Sequence, residues 1–185
     1  MDKRTFKKNN TKLIGLTGTN GSGKGEAAIF FKKNGYDYLS LSDIIRDELR
    51  KENHDVSRDN MIKMGNHLRE THGPDILARL AMKKVRGNSV IDSIRNPKEV
   101  ECLRSQENFV LLAILAPASL RYERVKKRGR DESASSLKEF IEKEAEEMSK
   151  GEKEQQLHSC IKMADYKIFN NGSIEDFHKK LEDFL

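Results

Sequence analysis

The chain has 185 residues, of which 36% are hydrophobic and 35% are charged, and its formal net charge at pH 7 is +5. This length is enough for one domain with its own hydrophobic core. No apolar run approaches the roughly 20 residues of a membrane span, and no signal peptide precedes the first predicted strand, so we expect a cytoplasmic protein without a membrane partner.

Much of the positive charge falls in two stretches, residues 1–11 and Lys126–Arg130. Residues 1–11 are predicted to form a flexible basic tail in front of a single domain that spans residues 12–185. Neither basic stretch shows a base-reading pattern. We therefore do not expect nucleic acid to be the main partner, and we expect small-molecule nucleotides instead.

The most informative stretch follows the apolar run Leu13–Leu16, which is predicted to be a strand. Residues Gly18–Lys24 fit the pattern G-x-x-x-x-G-K, and the next residues have helical character. In such a loop the glycines let backbone N–H groups point into one hollow, and Lys24 reaches the β- and γ-phosphates. The predicted ATP-binding residues of this stretch are Gly18, Asn20, Gly21, Ser22, Gly23, Lys24, Gly25 and Glu26.

The pattern breaks after Lys24, where a magnesium-binding Ser or Thr is expected. The chain has Gly25 there and Glu26 at the next position. Because neither offers a hydroxyl, Mg²⁺ would have to be held by phosphate oxygens, water and an acid elsewhere.

A helical segment is predicted between the second and third strands. The predicted elements are a strand over Tyr36–Leu41, a helix through Ile44–Arg50 capped by Ser42 or Asp43, a helix over Ser57–His72, and a helix opened by Pro74 and running through Lys84. We interpret residues 42–86, approximately, as a flap over an acceptor substrate.

Two arginines of this flap are candidates for binding an acceptor phosphate. Arg46 lies one turn into a helix at the carboxyl edge of the sheet, where its guanidinium can fork two hydrogen bonds onto a phosphate. Arg69 lies near the end of the next helix. The alternatives are a surface Arg46 paired with a nearby acid and a solvated Arg69.

The third strand, Ser89–Asp92, ends in an acid and is followed by Arg95 and by a helix that begins near Pro97. An aspartate at this position beside a phosphate loop can orient magnesium-bound water or the attacking oxygen. Arg95 is expected to point into the same cleft.

A continuously apolar fourth strand, Phe109–Ala116, is typical of a central parallel strand. The basic helix Leu120–Arg128 and the polar loop Arg130–Ser136 follow it. We interpret residues 126–150, approximately, as a lid whose arginines stabilise a transferring phosphoryl group and exclude water. The alternative is a solvated basic helix end.

The remaining predicted elements are helices over Leu137–Lys150 and Glu154–Met163, a fifth strand over Tyr166–Phe169, a turn over Asn170–Ser173 and a helix over Ile174–Leu185. The turn could hold a purine ring through main-chain groups and Asn170 or Asn171. A simple left-handed turn at Gly172 is the alternative.

Taken together, the sequence from Leu13 onward resembles the P-loop nucleoside monophosphate kinases, in particular an adenylate-kinase-like group with a Gly-Ser-Gly-Lys-Gly-Glu loop that is common in archaea. Asp43-x-x-Arg46 is similar to the acceptor-binding Asp-x-x-Arg of adenylate kinases. Asp92-Ser-Ile-Arg95 is similar to their Asp-Gly-x-x-Arg, shortened by one residue and with Ser93 in place of glycine. Arg124 and Arg128-Gly-Arg130 look like lid arginines.

The two ends of the domain are also similar to dephospho-coenzyme A kinases. The similarity lies in the opening Ile14-Gly-Leu-Thr-Gly and the closing Ala164-Asp-Tyr-x-Ile-x-Asn-x-Gly-Ser173. The resemblance therefore leaves the acceptor open between a nucleoside monophosphate and dephospho-coenzyme A.

The resemblance implies an α/β P-loop NTPase fold in three α/β/α layers, with five parallel strands in the order 2-3-1-4-5 and with a helical acceptor flap and lid. It implies transfer of the γ-phosphoryl group of ATP, with Mg²⁺, to AMP or a deoxynucleotide by a single kinase domain. The implied catalytic residues are Lys24, Asp92, Arg128 and Arg130. Arg124 and Gly172 join the ATP site, the acceptor site comprises Asp43, Arg46, Arg69 and Arg95, and Asp92 holds the metal through water.

Two functions of other classes remain open at this point. The missing hydroxyls at Gly25 and Glu26 favour a non-catalytic nucleotide-binding module. The basic tail is compatible with a slow ATPase that works on RNA or the ribosome. The protein is expected to be a monomer or a homodimer.

Overall fold

The computed structural model describes residues 11–129, 134–148 and 156–185. Most of the predicted tail, part of the predicted lid and Arg130 lie outside these residues. The five strands are β1 (Leu13–Thr17), β2 (Asp37–Ser40), β3 (Ser89–Asp92), β4 (Phe109–Leu115) and β5 (Tyr166–Phe169). They form one parallel sheet in the order β2-β3-β1-β4-β5, which confirms the predicted order.

The helices of the described residues cover both faces of this sheet. They are α1 (Lys24–Lys33), α2 (Leu41–Lys51), α3 (Arg58–His72), α4 (Ile76–Met82), α5 (Pro97–Arg104), α6 (Ala118–Lys127), α7 (Leu137–Met148), α8 (Leu157–Met163) and α9 (Ile174–Glu182). One core packs α2–α5 and α8 on the sheet, and the other packs α1 and α9 on its opposite face. The architecture is the three-layer α/β/α arrangement of P-loop NTPases.

The strands alternate their side chains between these two cores. Ile14 and Val90 face α1 and α9, whereas Leu13 and Ile91 face the opposite helical layer. A strand that is buried on both faces must be apolar at successive positions, which explains the continuous hydrophobic runs of the sequence.

The register of the strands brings the chemically important residues to one edge of the sheet. Asp92 at the end of β3 pairs with Ser40 at the end of β2, and Gly15 of β1 pairs with Ile91 of β3. The loop that follows Thr17 therefore opens beside Asp92. This edge is where parallel α/β sheets bind their ligands.

Several predicted helix boundaries are wrong by one to three residues. Helix α2 begins at Leu41, with Ser40 as its N-cap, because a helical Leu41 is buried in the core. Helix α4 begins at Ile76 rather than at Pro74, because the Ile76 N–H donates to Gly73 O (3.1 Å) in a preceding turn. Gly172 is absent from the glycines with positive φ in the described residues, so the left-handed turn that was the alternative interpretation there is wrong.

Other differences concern where the helices begin and end. Helix α6 covers Ala118–Lys127, and α9 ends at Glu182 instead of Leu185. The described parts of the next two predicted helices are Leu137–Met148 and Leu157–Met163. In the described residues, no helix combines the length and the apolar character needed to cross a membrane.

Candidate active site

A polar cavity of about 770 Å³ opens at the carboxyl edge of the sheet. The loop after β1 forms one side of it, the ends of β2 and β3 form its floor, and residues of α2 and α3 form the other side. Arg128, just after α6, completes the wall. The cavity therefore joins the predicted phosphate loop to the predicted acceptor flap.

The loop between β1 and α1 has the backbone of an anion-binding hollow. Gly18, Gly21 and Gly23 have φ values of +140°, +75° and +110°, a region that strongly favours glycine. A Cβ atom on Gly18 would lie 2.2 Å from Ile114 O, and one on Gly23 would lie 2.1 Å from Asn170 Nδ2. Glycine is therefore favoured at Gly18 by both its positive φ and its contact with the main chain, and at Gly23 chiefly by its positive φ.

Lys24, the first residue of α1, lines the cavity. Its Nζ donates to Gly18 O (2.7 Å) and Thr19 O (3.0 Å), so the ammonium lies against the loop. Burial lowers the pKa of Lys24 to about 8. The carboxylate of Asp92 opposes this shift, whereas the positive charges of Arg95, Arg121 and Arg128 add to it.

Asp92 is 7% exposed and ends β3 at the floor of the cavity. Its Oδ1 accepts from the Ser93 N–H (2.6 Å), and its Oδ2 accepts from the Tyr38 hydroxyl (3.4 Å). Burial, followed by the Asp92 charge, raises the pKa of Tyr38. Ser93 has a φ of +68°, which matches the place where the resembling kinases carry glycine.

Two of the predicted acceptor arginines have the expected location. Arg46 and Arg95 both line the cavity. Arg46 Nη1 donates to Asp43 Oδ1 (2.6 Å), and both side chains are partly exposed. Arg46 therefore forms the ion pair with a nearby acid that was given as its alternative role, and it also lines the cavity. Burial lowers the pKa of Arg95, and the charge of Asp92 opposes this shift.

Arg69 is buried rather than solvated. Its side chain is 3% exposed and forms an ion pair with Glu99, which is fully buried. Arg69 also lines the cavity. The solvated alternative for this residue is therefore wrong.

The turn between β5 and α9 is tied to the phosphate loop. The side chain of Asn170 is buried, and its Nδ2 donates to Ser22 O (2.9 Å). Arg124 Nη2 donates to Asn170 O (3.2 Å) and Oδ1 (3.3 Å). Asn170 thus binds the phosphate loop directly, and Arg124 holds Asn170. Gly172, a predicted ATP-binding residue, lies two positions after Asn170.

Two neighbouring residues in the first turn of α1 differ in their surroundings. Gly25 lines the cavity, and a Cβ atom there would meet nothing within 4 Å. Glu26 instead forms a 2.8 Å contact with His178 Nε2 and so connects α1 to α9. Asn20, Gly21 and Ser22 line the cavity as well.

Sequence reasoning missed three residues of this region. Arg58 lines the cavity at the start of α3, Glu99 pairs with Arg69, and Tyr38 contacts Asp92. Only Glu99 had a local signal, because Asn96-x-x-Glu99 before an apolar run fits a helix capping box. The predicted catalytic residue Arg130 lies outside the described residues, whereas Arg128 lines the cavity.

Comparison with solved structures finds the same fold in several proteins, kinases among them. The crystal structure of TT1252 from Thermus thermophilus superposes with a TM-score of 0.59 at 21% identity, over 94% of this chain and 95% of the other. Shikimate kinase from Acinetobacter baumannii gives a TM-score of 0.58 at 14% identity, over 94% and 92% of the two chains. The chain therefore has a P-loop kinase-like fold.

Sequence comparison identifies the family. Residues 14–155 match the family model described as AAA domain. The UPF0200 protein of Sulfurisphaera tokodaii is 31% identical over 176 residues, which cover 94% of this chain and 96% of the relative. That of Thermococcus kodakarensis is 35% identical over 183 residues, which cover 92% and 96%. The chain thus belongs to the UPF0200 family, and it carries the AAA domain over residues 14–155.

Proposed function

We propose that this protein is an ATP-dependent phosphotransferase that moves the γ-phosphoryl group of ATP to a nucleoside monophosphate, either AMP or a deoxynucleotide. One observation carries the proposal. The phosphate-loop lysine, the strand-end Asp92 and the arginines of the flap line one cavity. A bound triphosphate and a second phosphate-bearing substrate can therefore meet there.

The donor half of the site is the loop from Gly18 to Gly25. Its backbone N–H groups and the N-terminus of α1 would bind the phosphates of ATP. Lys24 would give up its contacts with Gly18 O and Thr19 O for the β- and γ-phosphate oxygens. Arg128 would stabilise charge on the transferring group, together with Arg130, for which the sequence predicts the same role.

The acceptor half supports a substrate that has an anionic and an apolar part. Arg46 and Arg95, together with Arg58, supply the positive charge for a phosphate. Val56, Met61 and Ile62 line the same cavity and offer apolar surface to a base. This combination favours a nucleotide over a small sugar as acceptor.

The residues of the site are compatible with Mg²⁺. Mg²⁺ in nucleotide sites usually takes one or two carboxylates, phosphate oxygens and several waters. Asp92 supplies a carboxylate at the cavity floor, and Ser22 Oγ is a buried hydroxyl without a hydrogen-bond partner in the described residues. Asp92 would hold the ion through water, and the ion would neutralise phosphate charge.

The reaction requires positioning more than covalent chemistry. An oxygen of the acceptor phosphate attacks the γ-phosphorus, the bond from that phosphorus to the bridging oxygen breaks, and ADP leaves. Arg46 and Arg95 would hold the attacking phosphate in line. Lys24 would stabilise the negative charge of the transferring group.

Dephospho-coenzyme A is the alternative acceptor. It is favoured by the similarity of Ile14–Gly18 and Ala164–Ser173 to dephospho-coenzyme A kinases. In that case Arg46 and Arg95 would bind the larger substrate. The solved relatives include a shikimate kinase in complex with shikimate, so a non-nucleotide acid is a useful comparison compound.

A coupled assay of ADP formation with ATP, Mg²⁺ and a panel of acceptors tests the proposal. The panel contains AMP, CMP, GMP, UMP, their deoxy forms, dephospho-coenzyme A and shikimate. We expect turnover with at least one nucleoside monophosphate. Turnover with dephospho-coenzyme A or shikimate alone would replace the proposed acceptor. No turnover with intact ATP binding would favour a nucleotide-binding module.

A further inference from the structure

A buried ion pair lies between the acceptor flap and the turn that follows β3. Arg69 is on α3, and Glu99 is in the first turn of α5. Glu99 Oε1 accepts from both Arg69 Nε (3.1 Å) and Nη2 (2.8 Å). The two side chains are 3% and 0% exposed, so solvent does not screen the pair.

The second oxygen of the same carboxylate binds the main chain. Glu99 Oε2 accepts from the N–H groups of Arg95 (2.9 Å) and Asn96 (3.0 Å). Asn96 Oδ1 in turn accepts from the Lys98 N–H (2.9 Å), which completes the capping of α5. One carboxylate thus connects the flap helix α3 to the turn that carries Arg95.

A helix cap alone does not require this arrangement. An uncharged side chain can cap a helix, whereas a fully buried carboxylate is costly unless a cation pairs with it. The Arg69 guanidinium provides that cation and two of the four hydrogen bonds to Glu99. Both arginines that Glu99 contacts line the cavity.

From this geometry we infer that Glu99 is a positioning residue for the acceptor. It fixes the side chain of Arg69 and the backbone of Arg95, so that the flap and the strand-end turn present their arginines to the same anion. Glu99 itself lies behind these groups and does not touch substrate. The inference rests on the proposed phosphotransferase function. Within that function, it makes Glu99 a determinant of the affinity for the acceptor.

The test is Glu99→Gln, which nearly preserves the volume of the side chain. All four partners of Glu99 are N–H donors, and a glutamine has one oxygen and one NH₂ group. The NH₂ group must therefore face either Arg69 or the Arg95 backbone without an acceptor. We expect the KM for the nucleoside monophosphate to rise about tenfold, and the KM for ATP to stay within about twofold.

Asp165→Asn is a matched control. Asp165 pairs with Arg104 (2.7 Å) and accepts from the Leu111 N–H (2.8 Å), but it precedes β5 at the opposite edge of the sheet. We expect this variant to lose thermal stability without a change in either KM. If Glu99→Gln does not fold, Glu99→Asp carries the same test, because aspartate keeps the charge but is one methylene shorter and cannot reach both Arg69 and the main chain.

The possible outcomes separate the inference from the proposed function. A selective rise in the acceptor KM supports the role of Glu99. Two results would overturn that role if the wild-type protein is active: an unchanged acceptor KM in Glu99→Gln, or equal changes in its KM values for ATP and the acceptor. Either result leaves the phosphotransferase function intact. A wild-type protein that turns over no acceptor overturns the proposed function, and the inference falls with it.

Discussion

Lys24 carries a charge that its surroundings in the site disfavour. Burial lowers its pKa to about 8, and three nearby arginines act in the same direction. The carbonyls of Gly18 and Thr19 accept hydrogen bonds from the ammonium, and the charge of the Asp92 carboxylate favours its protonated form. The oxygens of a bound phosphate would favour the charged form of Lys24, which burial in the free protein disfavours.

The affinity for ATP should therefore depend on pH in the alkaline range. Because the folded-state pKa of Lys24 is about 8, the free protein loses this charge as pH rises through that value. ATP binding must then be coupled to the uptake of one proton from solvent, so the Kd for ATP should rise about tenfold one unit above the pKa, relative to its value well below the pKa. Calorimetric titrations between pH 7 and pH 9.5 measure this change.

Lys24→Arg is the control for this titration, since a guanidinium stays charged over the whole range. Its Kd for ATP should be nearly flat with pH. An equal alkaline rise in both proteins would assign the dependence to another group.

Removal of the charge altogether should affect catalysis more strongly. Lys24→Ala deletes one electrostatic contact with the transferring phosphoryl group, a loss of on the order of 3 kcal/mol in transition-state stabilisation. This corresponds to roughly a hundredfold fall in kcat/KM. Steady-state assays with the preferred acceptor measure it, and near-normal turnover would exclude the loop lysine from the mechanism.

At the residue scale, local patterns predicted some contacts and missed others for a physical reason. The Gly18–Lys24 loop and the Asp92 strand end are encoded by adjacent residues, so spacing alone predicted where they lie. The partners Arg69 and Glu99 are 30 residues apart and meet only after α3 packs near α5. No local spacing therefore distinguishes a buried Arg69 from a solvated one.

Helix α7 is joined to the phosphate loop through one arginine of α6. Arg121 is 5% exposed, and it donates to Ala116 O (2.9 Å) and Asn20 O (3.2 Å). Its guanidinium also pairs with Glu144 of α7 through both carboxylate oxygens. The sequence suggested a basic lid, with a solvated basic helix end as the alternative, and the ion pair to α7 had no local signal.

Glu144→Gln should weaken the attachment of α7 to α6. The substitution weakens a charge-assisted bidentate contact and should cost about 2 kcal/mol of stability. For a protein of this size, the Tm should fall by roughly 4–8 °C. Differential scanning calorimetry measures the shift.

Lys143→Gln on the same helix is the matched control, because Lys143 forms an exposed pair with Glu139 (2.6 Å). An exposed pair contributes less than about 1 kcal/mol, so the control should lose much less stability. Equal losses in the two variants would show that the Arg121 contact does not hold α7.

At the scale of elements, apolar runs and turn residues predicted much of the fold. Strands β3 and β5 have the predicted bounds, and α5 begins at the predicted Pro97. The start of α2 was misplaced because burial of Leu41 extends the helix toward the strand. Strand order followed from the family resemblance, since hydrophobic patterning carries no information about which strands are neighbours.

At the scale of the whole molecule, the fold depends on C-terminal elements that lie beyond the part of the chain matched by the AAA domain model. That match ends at residue 155, yet β5 completes the sheet and α9 covers one of its faces. Phe177 and Leu181 of α9 pack into the same core as Ile14 and Phe31. Because α1 follows the phosphate loop directly, α9 supports the site from the side opposite the flap.

Leu181→Ala tests this dependence. Leu181 is 0% exposed, so truncation leaves a cavity beside α1 and should lower the free energy of unfolding by about 2–5 kcal/mol. Ile174→Ala in the same helix is the control, because Ile174 is 58% exposed and its loss should change stability by less than about 0.5 kcal/mol. Urea denaturation measures both variants. If the two lose equally little, α9 is not part of the cooperative fold, and the site depends on the sheet and α1 alone.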